Sequence, residues 1–154
     1  MPLEIGSLAP DFDLPTDSGG SLSLASLRGK KVALYFYPKD MTPSCIMESE
    51  GFRDQLVYFT LANTVIVGVS KDSVKRHNQF KAKYQLPFNL VSDEDGTLCK
   101  AYDTWRMKKL YGKEYMGIVR STFLINEHGN IQSIWDKVRV KGHVDAVLKA
   151  AQAF

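Results

Sequence analysis

The chain has very little cysteine. Two cysteines in 154 residues, Cys45 and Cys99, exclude a disulfide-stapled secreted scaffold, and a chain of this length buries a full core without such staples. Neither cysteine belongs to a Cys-x-x-Cys pair or to a Cys/His cluster with ligand spacing, so the sequence predicts no metal site and no dithiol redox centre. No apolar run approaches membrane-spanning length, and the segment Met1-Pro2-Leu3-Glu4-Ile5-Gly6 lacks the basic-then-apolar order of a leader. A soluble cytoplasmic protein without membrane partners is expected. Charge of one sign is scarce too: 20 Lys and Arg against 17 Asp and Glu give a net +3. The two signs are interspersed, without the basic cluster and stacking aromatics of a nucleic-acid reader. Lys108-Lys109 with Arg106 and Lys113 is the only local excess, and it reads as a solvated loop. Repeats, low-complexity stretches and domain-joining linkers are absent, so one domain over residues 1–154 is expected.

What the chain does have is a regular succession of elements. The apolar, β-branched and aromatic run 31–37 and the segment 65–70 read as buried strands. Between them, Ile46, Phe52, Leu56 and Phe59 are spaced as one amphipathic helix over 43–60. Ser73 caps a predicted helix over 74–84, and Pro87 with the apolar residues of 86–91 returns the chain toward the sheet. A short helix over 96–103, strands near 118–125 and 130–137 joined as an antiparallel hairpin, and a helix over 142–153 complete the pattern. Turns are signalled at Asp17-Ser18-Gly19-Gly20, Asp93-Glu94-Asp95-Gly96 and Asn126-Glu127-His128-Gly129-Asn130. This order predicts an α/β, thioredoxin-like fold with a mixed central sheet flanked by helices.

The chemistry concentrates after the first long strand, in Pro38-Lys39-Asp40-Met41-Thr42-Pro43-Ser44-Cys45. Pro43 suits the first position of a helix, which puts Cys45 in the first turn beside unpaired backbone N–H groups. A thiolate is favoured there: the helix dipole and nearby donors lower cysteine pKa values from about 8.5 into the range of roughly 3.5–7.5. The hydroxyl of Thr42 and the backbone N–H groups around Ser44 and Cys45 form a rim that receives an anion. Arg120, at the start of Arg120-Ser121-Thr122-Phe123-Leu124-Ile125, offers a permanent charge that favours the thiolate. Glu48, one helical turn after Cys45, is placed to orient that guanidinium.

The pattern Pro38-x-x-x-Thr42-x-x-Cys45, with Arg120 ahead of a Thr-Phe-Leu-Ile strand, resembles the active site of peroxiredoxins. Leu34 to Pro43, Gly51-Phe52-Arg53-Asp54, Tyr111-Gly112-Lys113 and Met116-Gly117-Ile118 are similar to the bacterioferritin-comigratory-protein (PrxQ) branch. The resemblance runs from Gly6-Ser7-Leu8-Ala9-Pro10-Asp11-Phe12 to the last helix. It implies a thiol-dependent peroxidase for hydrogen peroxide and organic hydroperoxides, with Cys45 as peroxidatic nucleophile, Thr42 and Arg120 holding the peroxide and Pro38 shielding the pocket. It implies no metal, flavin or haem cofactor, and a monomer or weak homodimer. A redox-sensing or chaperone-like binding module that uses Cys45 oxidation as a switch is the alternative of a different class.

The chain departs from the branch in two places. Where many relatives carry a resolving cysteine, five positions after the peroxidatic one, this chain has Glu50, and 74–84 contains no cysteine either. It therefore resembles the one-cysteine members, which need an external thiol: glutathione with glutaredoxin, or thioredoxin. Ser44 replaces a common glycine. Cys99 has two readings, a resolver reached by local unfolding or by a second subunit, and a small apolar packing group against the sheet. His77, His128 and His143 read as surface or capping residues, Asp40 and Lys39 as exposed. Met41 is expected at the pocket entrance, Trp135 in the core or pocket wall, and Trp105 there too or at the entrance, ahead of a long irregular loop.

Overall fold

The computed structural model describes residues 3–17 and 19–154. Met1 and Pro2 of the segment expected not to be a leader, and Ser18 of the first predicted turn, lie outside the described residues. In chain order the elements are β1 (Asp13–Pro15), β2 (Ser21–Ser23), a 3-10 turn at Ala25–Leu27, β3 (Lys31–Phe36), α1 (Pro43–Asp54), α2 (Leu56–Leu61), β4 (Thr64–Ser70) and α3 (Val74–Tyr84). They continue with β5 (Asn89–Ser92), α4 (Thr97–Ala101), β6 (Trp105–Leu110), β7 (Lys113–Ile118), β8 (Ser121–Ile125), β9 (Ile131–Trp135) and α5 (His143–Gln152).

The central sheet has five strands in the order β5-β4-β3-β8-β9. β3, β4 and β5 run parallel, while β8 pairs antiparallel with β3 and β9 antiparallel with β8. This is the expected α/β, thioredoxin-like mixed sheet. Period-2 alternation sorts its side chains into two cores. Val32, Leu34 and Phe36 face one core with Val67, Val69, Phe123 and Ile125; Ala33, Tyr35 and Tyr37 face the other with Ile66, Leu90 and Leu124. Helix α1 belongs to the second face: Phe52 stacks on Tyr35 with centroids 4.7 Å apart, and Ser49 Oγ lies 2.9 Å from the Tyr35 hydroxyl. Gly68 makes room for that tyrosine, since a Cβ there would meet the Tyr35 ring and Leu90 at 2.9 Å.

Three expectations change. The helix over 43–60 is two helices: Gln55 leaves helical geometry at φ −100, ψ 6, which lets α2 turn Phe59 into the core beside Phe52. The long irregular loop expected after Trp105 is an antiparallel hairpin, β6 with β7, in which Met107 pairs with Met116 and Lys108 with Tyr115. Ile118 ends that hairpin, so the strand expected from 118 begins at Ser121. Ser73 does cap α3, its hydroxyl accepting from the Arg76 N–H at 3.2 Å.

Candidate active site

Strand β3 ends at Phe36, and the chain reaches α1 through a loop whose last residues are conformationally constrained. Met41 adopts φ 64, uncommon for a residue with a side chain, and Thr42 is extended as the helix N-cap at φ −88, ψ 150. Thr42 makes no side-chain cap; its hydroxyl donates instead to the Lys39 carbonyl at 2.9 Å. Its lone pairs stay free to accept, and the N–H groups of Ser44 and Cys45, in the first turn after Pro43, have no intrahelical acceptor. Met41 and Pro38 are half-buried and Ser44 is exposed.

Cys45 itself is 1 % exposed. Arg120, 75 residues further on and in the link between β7 and β8, reaches it: Nη2 donates to Sγ at 3.3 Å, while Nη1 donates to Glu48 Oε1 at 2.6 Å. Burial works against the Arg120 charge, but Glu48 and Cys45 outweigh it and hold the guanidinium above its ordinary pKa. Glu48 is fully buried, and its second oxygen, Oε2, has no hydrogen-bond partner. Burial pushes its carboxyl up to about 7 against the opposing pull of Arg120. His143, the first residue of α5, points its Nε2 at that oxygen from 3.9 Å and at the Thr122 hydroxyl from 2.8 Å. Burial, and then the Arg120 charge, push its imidazole down to about 4.

A second buried network fixes the loop from behind. Tyr37 donates to Asp40 Oδ1 at 2.5 Å, and Asp40 Oδ2 lies 2.6 Å from His77 Nδ1, whose Nε2 meets the Val91 carbonyl at 3.0 Å. The Asp40 N–H donates to Asp72 Oδ2 at 2.7 Å, and Arg76 donates to the Asp40 carbonyl at 3.2 Å. Asp40 is therefore buried rather than exposed, and His77 and His143 are interior residues rather than surface ones. Their partners stand 37 and 21 residues away in sequence, so no local pattern marks them. His128 lies on an exposed turn and Lys39 is exposed, as expected.

Among the described residues, Asp40, Asp72 and His77 form the one group whose ligand atoms lie within 4.8 Å of one another. Those atoms are already committed: Tyr37, Ser70 and the Asp40 N–H donate to the carboxylates, and Asp40 holds His77.

Cys99 sits apart from all of this. It is fully buried in α4, in the core on the opposite face of the sheet from Cys45. Burial and the neighbouring Asp93 push its thiol far up, out of the range of a thiolate at neutral pH. Lys108 is nearer the site than a solvated loop would place it. It is half-buried, its ammonium donates to the Ile118 carbonyl at 2.9 Å, and burial and then Arg120 lower its pKa while Cys45 opposes them. Trp105 is half-buried under the Lys71 ammonium, 4.1 Å from its ring centroid. Trp135 packs against His143, with centroids 5.9 Å apart.

A thiol with a guanidinium at hydrogen-bond distance, uncapped amides beneath it and a hydroxyl beside it can hold and attack a small, polarisable electrophile. The comparisons agree in kind. The AhpC/TSA family matches residues 5–134. The chain is 54 % identical over 148 residues to a putative peroxiredoxin bcp of Coxiella burnetii, covering 96 % of this chain and 98 % of that protein. It is 49 % identical to the peroxiredoxin Bcp of Bacillus subtilis, covering 97 % and 95 %. The solved bacterioferritin comigratory protein of Xanthomonas campestris, studied for its alkyl peroxide reduction activity, superposes with a TM-score of 0.91 at 44 % identity, covering 98 % and 96 %. A PrxQ of Xylella fastidiosa superposes with a TM-score of 0.94 at 38 % identity, covering 99 % and 98 %.

Proposed function

The chain belongs to the AhpC/TSA family, among the peroxiredoxins of the Bcp kind, and from that premise we propose that it is a one-cysteine, thiol-dependent peroxidase acting through Cys45. The observation that carries the reading is the Arg120 guanidinium shared between Cys45 Sγ at 3.3 Å and Glu48 Oε1 at 2.6 Å.

In this reading the Cys45 thiolate attacks one peroxide oxygen in line with the O–O bond. The S–O bond forms, the O–O bond breaks, and its electron pair leaves on the distal oxygen, which takes up a proton from solvent as water or alcohol. Arg120 and the uncapped N–H groups of the first α1 turn stabilise the charge as it shifts. The Thr42 hydroxyl, already donating to Lys39, accepts from the peroxide O–H and so orients it. Pro38 walls the pocket, and Glu48 keeps Arg120 aimed. Cys45 is left as sulfenic acid, which a thiol returns to the resting state.

The one-cysteine reading rests on Glu50 at the usual resolving position and on the sheet between Cys45 and Cys99. An external thiol then regenerates the enzyme, through glutathione and glutaredoxin or through thioredoxin. Dependence on such a thiol pool fits the cytoplasm, and a single domain spanning 1–154, monomeric or weakly dimeric, is enough for the chemistry. Peroxide consumption by Cys45→Ser tests the reading. The substitution is nearly isosteric but replaces the nucleophile with a weak one, so turnover is expected to vanish with the fold intact; turnover near wild type would sink the assignment.

A further inference from the structure

Beside the peroxidatic site lies an open cavity of about 430 Å³ that the reaction with hydrogen peroxide does not use. The β6–β7 hairpin forms one wall, with Trp105 and Tyr115, and Pro38, the first residue of the active-site loop, forms part of the other. Three ammonium groups line it, from Lys39, Lys71 and Lys108. Two of them are held in place: Lys71 over the Trp105 ring at 4.1 Å, and Lys108 on the Ile118 carbonyl at 2.9 Å. The single carboxylate in the lining, Asp72, is engaged by Ser70, the Asp40 N–H and Arg76. Among the described residues no carboxylate comes within ion-pair distance of any of the three lysines. Lys108 is close enough to Cys45 and Arg120 for their charges to act on it. The cavity is thus an uncompensated cationic pocket with aromatic walls, and it shares Pro38 and Lys39 with the loop that leads to Cys45. Its chemistry calls for an anion on a short organic frame.

We propose that this cavity seats a carboxylate-bearing peptide thiol of the glutathione class, which reduces oxidised Cys45 from there. The inference rests on the peroxidase reading, because it needs Cys45 sulfenic acid and no internal resolving thiol. The sulfur of the seated thiol attacks Cys45 Sγ, an S–S bond forms, the S–O bond breaks, and the departing hydroxide takes the thiol proton as water. A second equivalent then attacks the ligand's own sulfur, which frees the Cys45 thiol and releases the ligand as its disulfide. The carboxylates meet Lys39 and Lys71 while the frame lies against Trp105 and Tyr115.

The test uses the full chain, oxidised with one equivalent of hydrogen peroxide and checked by mass for a single added oxygen. Stopped-flow fluorescence then gives the rate of reduction by glutathione and by glutathione dimethyl ester, which keeps the thiol and loses the carboxylates. Wild type is expected to favour the acid over the ester by about tenfold, a preference that fades at high salt. The ratio of the two rates, in which any general loss of reactivity cancels, is expected to fall below about twofold in Lys39→Met/Lys71→Met and to return in Lys39→Arg/Lys71→Arg. Equal rates for acid and ester in wild type overturn the proposal, and so does a preference that survives the double methionine variant. The wild-type comparison decides by itself if that variant does not fold. Failure of Cys45 to take up oxygen, seen before any thiol is added, overturns the peroxidase reading and this one with it.

Discussion

Arg120 meets Cys45 at 3.3 Å across 75 residues of sequence, and the same guanidinium is braced by Glu48 one helical turn below the thiol. Two parallel donors on a planar frame make this contact directional as well as charged, a property lysine cannot copy. Arg120→Lys is therefore expected to slow Cys45 oxidation by hydrogen peroxide by about tenfold or more, on the order of 1.4 kcal/mol of transition-state stabilisation, and Arg120→Ala by at least as much. Stopped-flow rates equal to wild type in both would show that the guanidinium has no part in the reaction.

Thr42 is expected to act through its lone pairs, since its proton is directed at the Lys39 carbonyl. Thr42→Val keeps the shape and removes the acceptor, so the rate of Cys45 oxidation should again fall by about tenfold. Thr42→Ser should restore most of it. A valine variant as fast as wild type would contradict the assignment.

Glu48 and His143 give the folded state opposing pH dependences. Glu48 has its pKa raised from 4.5 to about 7, so its contribution to stability is fully present below about 4.5 and is lost as pH rises through about 7. His143 has its pKa lowered from 6.5 to about 4, so its contribution is present above about 6.5 and is lost as pH falls through about 4. Glu48→Gln removes the first dependence only. Urea unfolding across this range should then show stability rising with pH between about 4 and 6.5 more steeply than in wild type. Superimposable profiles would show that Glu48 does not titrate in this window.

The buried Tyr37–Asp40–His77 network carries a stability prediction. His77 faces acceptors at both ring nitrogens, Asp40 Oδ2 and the Val91 carbonyl. His77→Leu strands both and should cost on the order of 1–3 kcal/mol for each buried acceptor left without a partner. A shift of the urea midpoint worth less than about 1 kcal/mol would show that water replaces the imidazole there.

Much of the fold is legible in the sequence because burial on both faces leaves continuous apolar runs. β3 and β4 show this, while α3 is announced by its Ser73 cap. The β6–β7 hairpin escapes that logic. Lys108, Lys109 and Lys113 stand where a half-buried strand would carry apolar groups, and Met107, Leu110 and Tyr111 are exposed, so no alternation marks it. The break at Gln55 carries no glycine or proline to announce it. At the site, Cys45, Thr42 and Glu48 lie within seven residues and follow from helix geometry, whereas Arg120 is 75 residues away and is placed by its position at the start of a strand, a placement the resemblance supports. Asp40 with His77, and Glu48 with His143, are pairs made by tertiary folding alone, and no local pattern encodes them.

The most direct test of a one-cysteine peroxidase is the mass of the protein after one equivalent of hydrogen peroxide without reductant, followed by peptide mapping. One added oxygen on Cys45, with Cys99→Ser turning over as fast as wild type when an external thiol is supplied, is the expected result. Loss of two hydrogens with a Cys45–Cys99 peptide would contradict it, because the two thiols would then have to meet from opposite faces of the sheet.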